Sequence, residues 1–115
     1  VYGSHTPTLA RELSSATSSL QAAGITPQVD ADPDVESPLF AWALREAVTN
    51  VIRHSRADAC RITVTPQRLM VADNGVGIQE GTALSSLSSR IDAAGARLRV
   101  SSPVASTGTV VEVTV

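Results

Sequence analysis

The chain has 115 residues, is 43% hydrophobic and carries a formal net charge of −2. This length suits a single domain with a buried core, and the dispersed arginines provide no basic patch of the kind that binds nucleic acid. A single cysteine excludes an internal disulfide, and with only two histidines it leaves too few soft ligands for a structural zinc site. Because all nine basic residues are arginine, a phosphate loop of the G-x-x-x-x-G-K-[ST] type is impossible.

The first quarter of the chain predicts a linker, a helix and a strand. Residues 1–7 show no periodicity, as expected for a linker or the edge of a fragment, and the domain is expected to cover residues 8–115. From Thr8 to Leu20 apolar residues recur every three or four positions, which predicts a helix that Gly24 ends. Residues 25–29 predict a short strand.

A second helix, predicted from Pro38 to His54, has two distinct faces. Ser37 followed by Pro38 is typical of an N-cap with proline in the first turn. A rotation of about 100° per residue places apolar side chains on one side. They are Leu44, Val48, Val51 and Ile52. The opposite side carries the polar residues Glu46, Asn50 and Arg53, flanked by Trp42 and His54.

The rest of the chain predicts four strands and one helix. They are strand 60–65, strand 68–72, helix 84–94, strand 98–102 and strand 109–115. A tight turn is expected between the first two strands, and the last two are expected to form a closing hairpin with a longer loop. No apolar run approaches the roughly 20 residues of a membrane span.

The polar face of the second helix carries groups that suit a metal and a phosphate tail. Magnesium prefers oxygen ligands and is commonly held by one or two protein oxygens plus substrate phosphates, and Asn50 offers such an oxygen. One turn earlier, Glu46 is close enough to orient a metal-bound water or accept its proton. Arg53 and His54 offer donors to phosphate oxygens. Asparagine is a mediocre former of helix interiors, so a purely structural helix does not account for Asn50.

The sequence Asp73-Asn74-Gly75-Val76-Gly77 ends a predicted strand and adds a carboxylate beside two glycines. Asp73 can accept a hydrogen bond from the exocyclic amine of adenine, which a guanine carbonyl does not supply. Gly75 and Gly77 allow the backbone to approach a ligand. Asn-Gly is also a common hairpin signal, but here the chain does not return at once into a strand.

These motifs resemble the ATP-binding catalytic domain of two-component sensor histidine kinases, in the wider group that includes gyrase B and MutL. Residues 46–54 resemble the N box of that family, and residues 73–77 resemble its first glycine box. More narrowly, the segment at residues 20–25 and the Arg-Glu-Ala-Val-Thr-Asn helix resemble DesK/NarL-type kinases. The resemblance implies an α/β (α+β) two-layer sandwich of the Bergerat type, in which helices cover one face of a mixed or antiparallel sheet.

The resemblance also implies roles for individual residues. Asn50 would ligate Mg²⁺, Glu46 would position water as the catalytic residue, Asp73 would bind adenine, and Thr109 would support the adenine pocket through water. The expected ATP-binding residues are Asn50, Arg53, His54, Asp73, Gly75, Gly77, Ile78, Gly81, Leu84 and Thr109.

The second glycine box departs from the family pattern. Relatives carry roughly G-x-G-L-x-G-M, whereas this chain keeps Gly81 and Leu84 and has Ala83 and Ser86 in place of the other two glycines. Side chains at those positions predict a weaker hold on the phosphates than on adenine.

The expected function is transfer of the γ-phosphoryl group of Mg-ATP to a histidine on a separate dimerisation domain. A response regulator is the expected downstream partner. Neither His5 nor His54 matches the acceptor histidine, so the fragment alone is expected to bind nucleotide but not to phosphorylate itself in the usual manner. It is expected to be monomeric without the dimerising hairpin, and to be cytoplasmic or the cytoplasmic part of a membrane-bound sensor kinase. Two alternatives are a regulatory or interaction module with little ATP turnover and a serine-directed relative of the anti-sigma-factor kinases.

Overall fold

The structure is a computed structural model that describes residues 8–75, 84–101 and 108–115. The predicted linker at residues 1–7 lies outside these ranges. Across the described ranges, no helix is long and apolar enough to cross a membrane.

Every predicted helix and strand is present, and the bounds of most differ from prediction by one or two residues. In chain order the elements are α1 Leu9–Ala22, β1 Thr26–Ala31, α2 Pro38–Asn50, a π-helical turn Val51–Ser55, β2 Ala59–Val64, β3 Arg68–Asp73, α3 Leu84–Ala93, β4 Arg97–Ser101 and β5 Thr109–Thr114.

Side-chain caps start the first two helices. The Thr8 hydroxyl accepts a hydrogen bond from the backbone N–H of Arg11 at 3.2 Å, and the Ser37 hydroxyl accepts one from Phe40 at 3.1 Å. Each cap satisfies a donor that the first turn of a helix leaves without an intrahelical partner. Pro38 occupies the first turn of α2, as the sequence predicts.

The described strands form one mixed sheet in the order β1-β2-β3-β5-β4. β1 runs parallel to β2, and the other neighbouring pairs are antiparallel. Buried residues alternate along the three central strands, so one face of the sheet is covered and the other meets solvent. This arrangement confirms the predicted two-layer sandwich with helices on one face.

The core lies between the helices and the covered face of the sheet. Fully buried side chains from both layers meet there, and the largest are Phe40, Leu9, Leu20, Leu44, Ile62, Leu69, Leu87 and Ile91. The buried face of α2 therefore faces the sheet, which leaves its polar face at the rim of the core.

The second helix differs from prediction at its end. α-Helical geometry stops at Asn50, and the chain continues as the π-helical turn to Ser55 before Arg56 adopts a left-handed conformation with φ 55°. Ile52, predicted to lie on the apolar side of the helix, is 36% exposed. It lies in the π-helical turn, which places more residues in each turn than the α-period used to count faces.

Candidate functional site

A row of three side chains crosses the central strands at one end of the sheet. Asp73, the last residue of β3, is paired with Cys60 on β2 and with Thr109 on β5. Residues paired across neighbouring strands point to the same face. All three share the face that carries the buried residues Val71 and Val111, so the row faces the helical layer.

Asp73 is held by the backbone on either side of it. Its Oδ1 accepts a hydrogen bond from the N–H of Gly75 at 2.8 Å, and the backbone N–H of Thr109 also hydrogen-bonds to the carboxylate. Burial raises the pKa of Asp73 above its ordinary value, and these two hydrogen bonds oppose that rise. The carboxylate is thus oriented in a half-buried position where it can accept a further donor.

The neighbouring thiol is buried and weakly acidic. Burial, with the charge of Asp73 as a second cause, raises the pKa of Cys60 to about 12. Cys60 is a core residue on β2 and is 1% exposed.

Thr109 brings a buried hydroxyl group to the site. The side chain is 2% exposed, and its hydroxyl has no hydrogen-bond partner within the described part of the chain. A buried hydroxyl without a partner costs free energy, and most such groups in proteins bind water, ligand or protein. The hydroxyl therefore fits a bound water or ligand beside Asp73.

Gly108 allows β5 to approach the end of β3 closely. It has φ +121°, and a Cβ atom at this position would lie 2.6 Å from the carbonyl oxygen of Asp73. Real Cβ atoms do not come so close to backbone, so any larger residue would separate the two strands here. This close approach keeps Thr109 beside Asp73.

α2 places the other predicted residues above these strands. It packs against β3 and β5, the strands that end in Asp73 and begin with Thr109. Glu46 and Asn50 are half-buried one turn apart on this helix, whereas Arg53 lies exposed on the π-helical turn. An amide oxygen and a carboxylate are therefore presented by one element over the strands that hold the Asp73 row.

Comparison with curated proteins identifies two relatives with substantial identity. The chain is 37% identical over 82 residues to the sensor histidine kinase YvfT of Bacillus subtilis, a match that covers 63% of this chain and 22% of YvfT. It is 35% identical over 97 residues to the sensor histidine kinase NarS of Mycobacterium tuberculosis, which covers 70% of this chain and 23% of NarS. The chain spans less than a quarter of the length of either relative.

Solved structures agree with these relatives. The histidine kinase domain of the Erythrobacter litoralis EL346 blue-light activated kinase superposes with a TM-score of 0.75 at 22% identity, covering 98% of this chain and 65% of that one. The chain has the fold of a histidine kinase ATP-binding domain. The ATP-binding domain of PrrB from Mycobacterium tuberculosis gives a TM-score of 0.61 at 16% identity and covers 91% of both chains. No family model matches the sequence.

Several predicted residues of this histidine kinase fold lie beyond what the structure describes. Gly77, Ile78 and Gly81 lie outside the described residues, as does most of the second glycine box. Leu84 is the first residue of α3 and His54 lies on the π-helical turn, but the side chains of both are outside the described part of the structure. The described residues therefore bring together Asp73, Gly75 and Thr109, with Glu46 and Asn50 on the helix that packs above them.

Asn74 has a structural role in this chain that the sequence analysis did not predict. Its Oδ1 accepts hydrogen bonds from the backbone N–H groups of Asp58 and Ala59 at 2.9 and 3.0 Å. The side chain thus ties the end of β3, next to Asp73, to the start of β2. The partners lie 15 and 16 positions away in sequence, so local pattern carries no signal for this contact.

Proposed function

We propose that this chain is the catalytic domain of a sensor histidine kinase, which binds Mg-ATP and transfers its γ-phosphoryl group to a histidine on a separate dimerisation domain. The observation that carries the proposal is the oriented Asp73 carboxylate beside the buried hydroxyl of Thr109, for which the described residues provide no hydrogen-bond partner. The sensor histidine kinases at 35% and 37% identity support it.

The adenine end of the proposed site is formed by Asp73 and Thr109. The carboxylate of Asp73 accepts a hydrogen bond from the exocyclic amine of adenine, and this contact selects adenine over guanine. The Thr109 hydroxyl binds a water that bridges to the base, which gives that buried hydroxyl a partner that no described residue provides.

The metal end is formed by Asn50 and Glu46 on α2. Bound Mg²⁺ supplies neutralisation of the negative charge on the phosphate oxygens. The described residues include no group of three His, Cys, Asp or Glu side chains that could hold a metal ion by themselves. A site built from one amide oxygen, waters and substrate phosphates suits Mg²⁺, which keeps several waters. Asn50 supplies that oxygen, and Glu46 orients a water beside it.

The phosphate end involves residues before and inside α3. Arg53 and His54 donate to phosphate oxygens, and by the resemblance to the family Gly75, Gly77, Ile78, Gly81 and Leu84 are further ATP-binding residues. Ala83 and Ser86 replace glycines of the usual second box, so we expect the phosphates to contribute less to affinity than adenine does.

The proposed partners follow from the proposed reaction. Phosphoryl transfer requires a histidine acceptor on a dimerisation domain of the same kinase, and a response regulator would then receive the phosphoryl group. Catalysis would come mainly from positioning and charge neutralisation. The placement close to DesK/NarL-type kinases, the location in the cytoplasm and the monomeric state of the fragment all stay predictions.

Calorimetric titration with ATP, with and without magnesium, tests the nucleotide site. We expect wild type to bind ATP, Asp73→Asn to lose most of the affinity in both conditions, and Asn50→Ala to lose affinity mainly with magnesium present. Asp30→Asn, an exposed aspartate on β1, is the matched control. If both site variants bind ATP as wild type does, the assigned residues are wrong.

The same preparation tests the alternatives. A wild-type domain that binds no nucleotide would favour a regulatory or interaction module. If ATP binds, incubation with candidate acceptor domains distinguishes the kinases, because phosphohistidine is acid-labile and phosphoserine is acid-stable. We expect the acid-labile product.

A further inference from the structure

We propose that Arg90 and Trp42 form a positioning contact that holds α3 against α2 and thereby sets the phosphate end of the nucleotide site. The inference rests on the proposed function, which assigns that end of the site to residues before and inside α3. Neither residue is proposed to touch the reacting atoms.

The contact itself joins a cation to an aromatic ring. The guanidinium carbon of Arg90 lies 4.6 Å from the centroid of the Trp42 ring. That distance is within the range of a cation–π interaction, and arginine above tryptophan is a favourable pairing. Trp42 is half-buried and Arg90 is exposed, so the ring is fixed in the protein while the arginine reaches it from α3.

Trp42 stands in line with the two residues proposed for the metal end. Trp42, Glu46 and Asn50 follow each other at intervals of four positions along α2, which places them on one face of the helix. With a rise of 1.5 Å per residue, Trp42 lies about 12 Å along the axis from Asn50. α3, which contacts Trp42, therefore meets the same face of α2 that carries Asn50, the proposed magnesium ligand.

α3 depends on such contacts for its position. It has 10 residues, and isolated helices of that length are marginal in water. Its buried side chains Leu87 and Ile91 hold it to the core, but Arg90 lies beside Ile91 and fixes how the helix is turned against α2. Leu84, at the start of α3, is about 9 Å along the axis from Arg90. Fixing one end of so short a helix also fixes where its first turn begins.

The contact between Arg90 and Trp42 is expected to have a limited effect on ATP affinity. If ATP binds only when α3 is correctly placed, its apparent affinity falls with the fraction of molecules in which α3 is so placed. A cation–π contact at an exposed position is weak, so its loss is expected to reduce ATP affinity by roughly two- to fivefold. Adenosine has no phosphates, so its affinity should not change.

The test compares Arg90→Gln with Arg90→Lys, which keeps the charge. Arg99→Gln, an exposed arginine on β4, is the control. Titration with Mg-ATP and with adenosine should show that Arg90→Gln loses two- to fivefold for ATP and nothing for adenosine, whereas Arg90→Lys and Arg99→Gln bind both as wild type does. In a Trp42→Leu background, Arg90→Gln should have no further effect, since the partner ring is gone.

Fluorescence supplies a second readout that does not need nucleotide. Trp42 is the only tryptophan in the chain, so tryptophan emission reports the surroundings of this one ring. We expect the emission of the nucleotide-free protein to change in Arg90→Gln and not in Arg99→Gln. Arg90→Gln binding ATP as tightly as wild type, or losing ATP and adenosine equally, would overturn the inference. If wild type binds neither ligand, the proposed function fails and the inference fails with it.

Discussion

Asp73 is subject to two opposing influences at the scale of a single residue. Burial raises its pKa and so favours the protonated form, whereas the hydrogen bonds from Gly75 and Thr109 favour the carboxylate. Because burial is the larger cause, an ionised Asp73 lowers the stability of the nucleotide-free protein. A ligand that donates to the carboxylate would offset that cost, which links stability at this residue to binding.

The pH dependence of Asp73→Asn tests this link. A carboxyl whose pKa is higher in the folded state binds protons more tightly there, so wild type gains stability as the pH falls through that raised pKa. We therefore expect the unfolding free energy of wild type to rise relative to that of Asp73→Asn as the pH falls from about 7 to about 4. Urea titrations without nucleotide measure it, with Asp30→Asn as control. If Asp73→Asn instead became more stable relative to wild type as the pH falls, the raised pKa of Asp73 would be contradicted.

Asn74 holds the end of β3 beside Asp73 through backbone partners at the start of β2 and just before it. We expect Asn74→Ala to reduce the unfolding free energy by about 1 to 2 kcal/mol, because two backbone N–H groups lose their acceptor. Asn74→Asp keeps an acceptor oxygen and should regain most of that loss. Urea unfolding followed by circular dichroism compares the two variants. Equal losses in both would mean that the acceptor oxygen is not what stabilises the turn.

At the scale of the elements, the ends of α2 and β5 determine how the site is presented. α2 carries Asn50 as its last α-helical residue and then widens into the π-helical turn. π-Helical turns are rare and occur frequently at functional sites. At the start of β5, Gly108 brings the strand against the carbonyl of Asp73. Both departures from regular structure lie next to residues of the proposed site.

Gly108→Ala should be much more costly than the same change at another glycine with positive φ. Its Cβ would meet the Asp73 carbonyl at 2.6 Å, so the strands must separate, and we expect a loss of about 2 to 4 kcal/mol. Gly95→Ala is the matched control, since Gly95 has φ +76° and open space around a Cβ. There we expect about 1 kcal/mol, from backbone strain alone.

Thermal unfolding and ATP titration distinguish the two glycine variants. Gly108→Ala should lower both the melting temperature and the affinity for nucleotide, because Thr109 moves away from Asp73. Gly95→Ala should lower the melting temperature slightly and leave affinity unchanged. Similar losses in both variants would show that the close approach of the strands does not matter.

At the scale of the whole molecule, the sheet and helices form one core with Cys60 close to the proposed site. Cys60 lies on β2, in the interior of the sheet, and is 1% exposed. Its pKa of about 12 leaves almost no thiolate at neutral pH. Reaction of this thiol therefore requires the sheet to open.

Thiol labelling of Cys60 consequently reports opening of the molecule. The chain has one cysteine, so the signal comes from a single position. At about pH 8 we expect iodoacetamide to label the folded protein at least about 100-fold more slowly than the urea-unfolded chain. If the proposed site is correct, Mg-ATP should slow labelling further, because ligand binding stabilises the folded state. Fast labelling without denaturant would show that β2 is not in a stable core.

The nature and order of the elements were predictable from local pattern. Apolar spacing predicts each helix, alternation predicts the central strands, and Ser37 with Pro38 predicts where α2 begins. The choice of Asn50 and Asp73 as candidates also came from residue type and spacing.

Contacts between distant segments were not predictable in this way. The end of α2 and the exposure of Ile52 depend on a π-helical turn, which the α-period does not anticipate. The pairing of Asp73 with Thr109 and the contact of Arg90 with Trp42 depend on which elements pack together.

The sequence by itself thus determined which elements form and which residue types are available for a nucleotide, because helix and strand periodicity and capping are properties of neighbouring residues. Only the tertiary structure decided that Thr109 lies buried beside Asp73, that Gly108 must be glycine and that α3 is held to α2 through Arg90. These contacts join residues far apart in the chain, and their energies depend on burial and strand register that no local window contains.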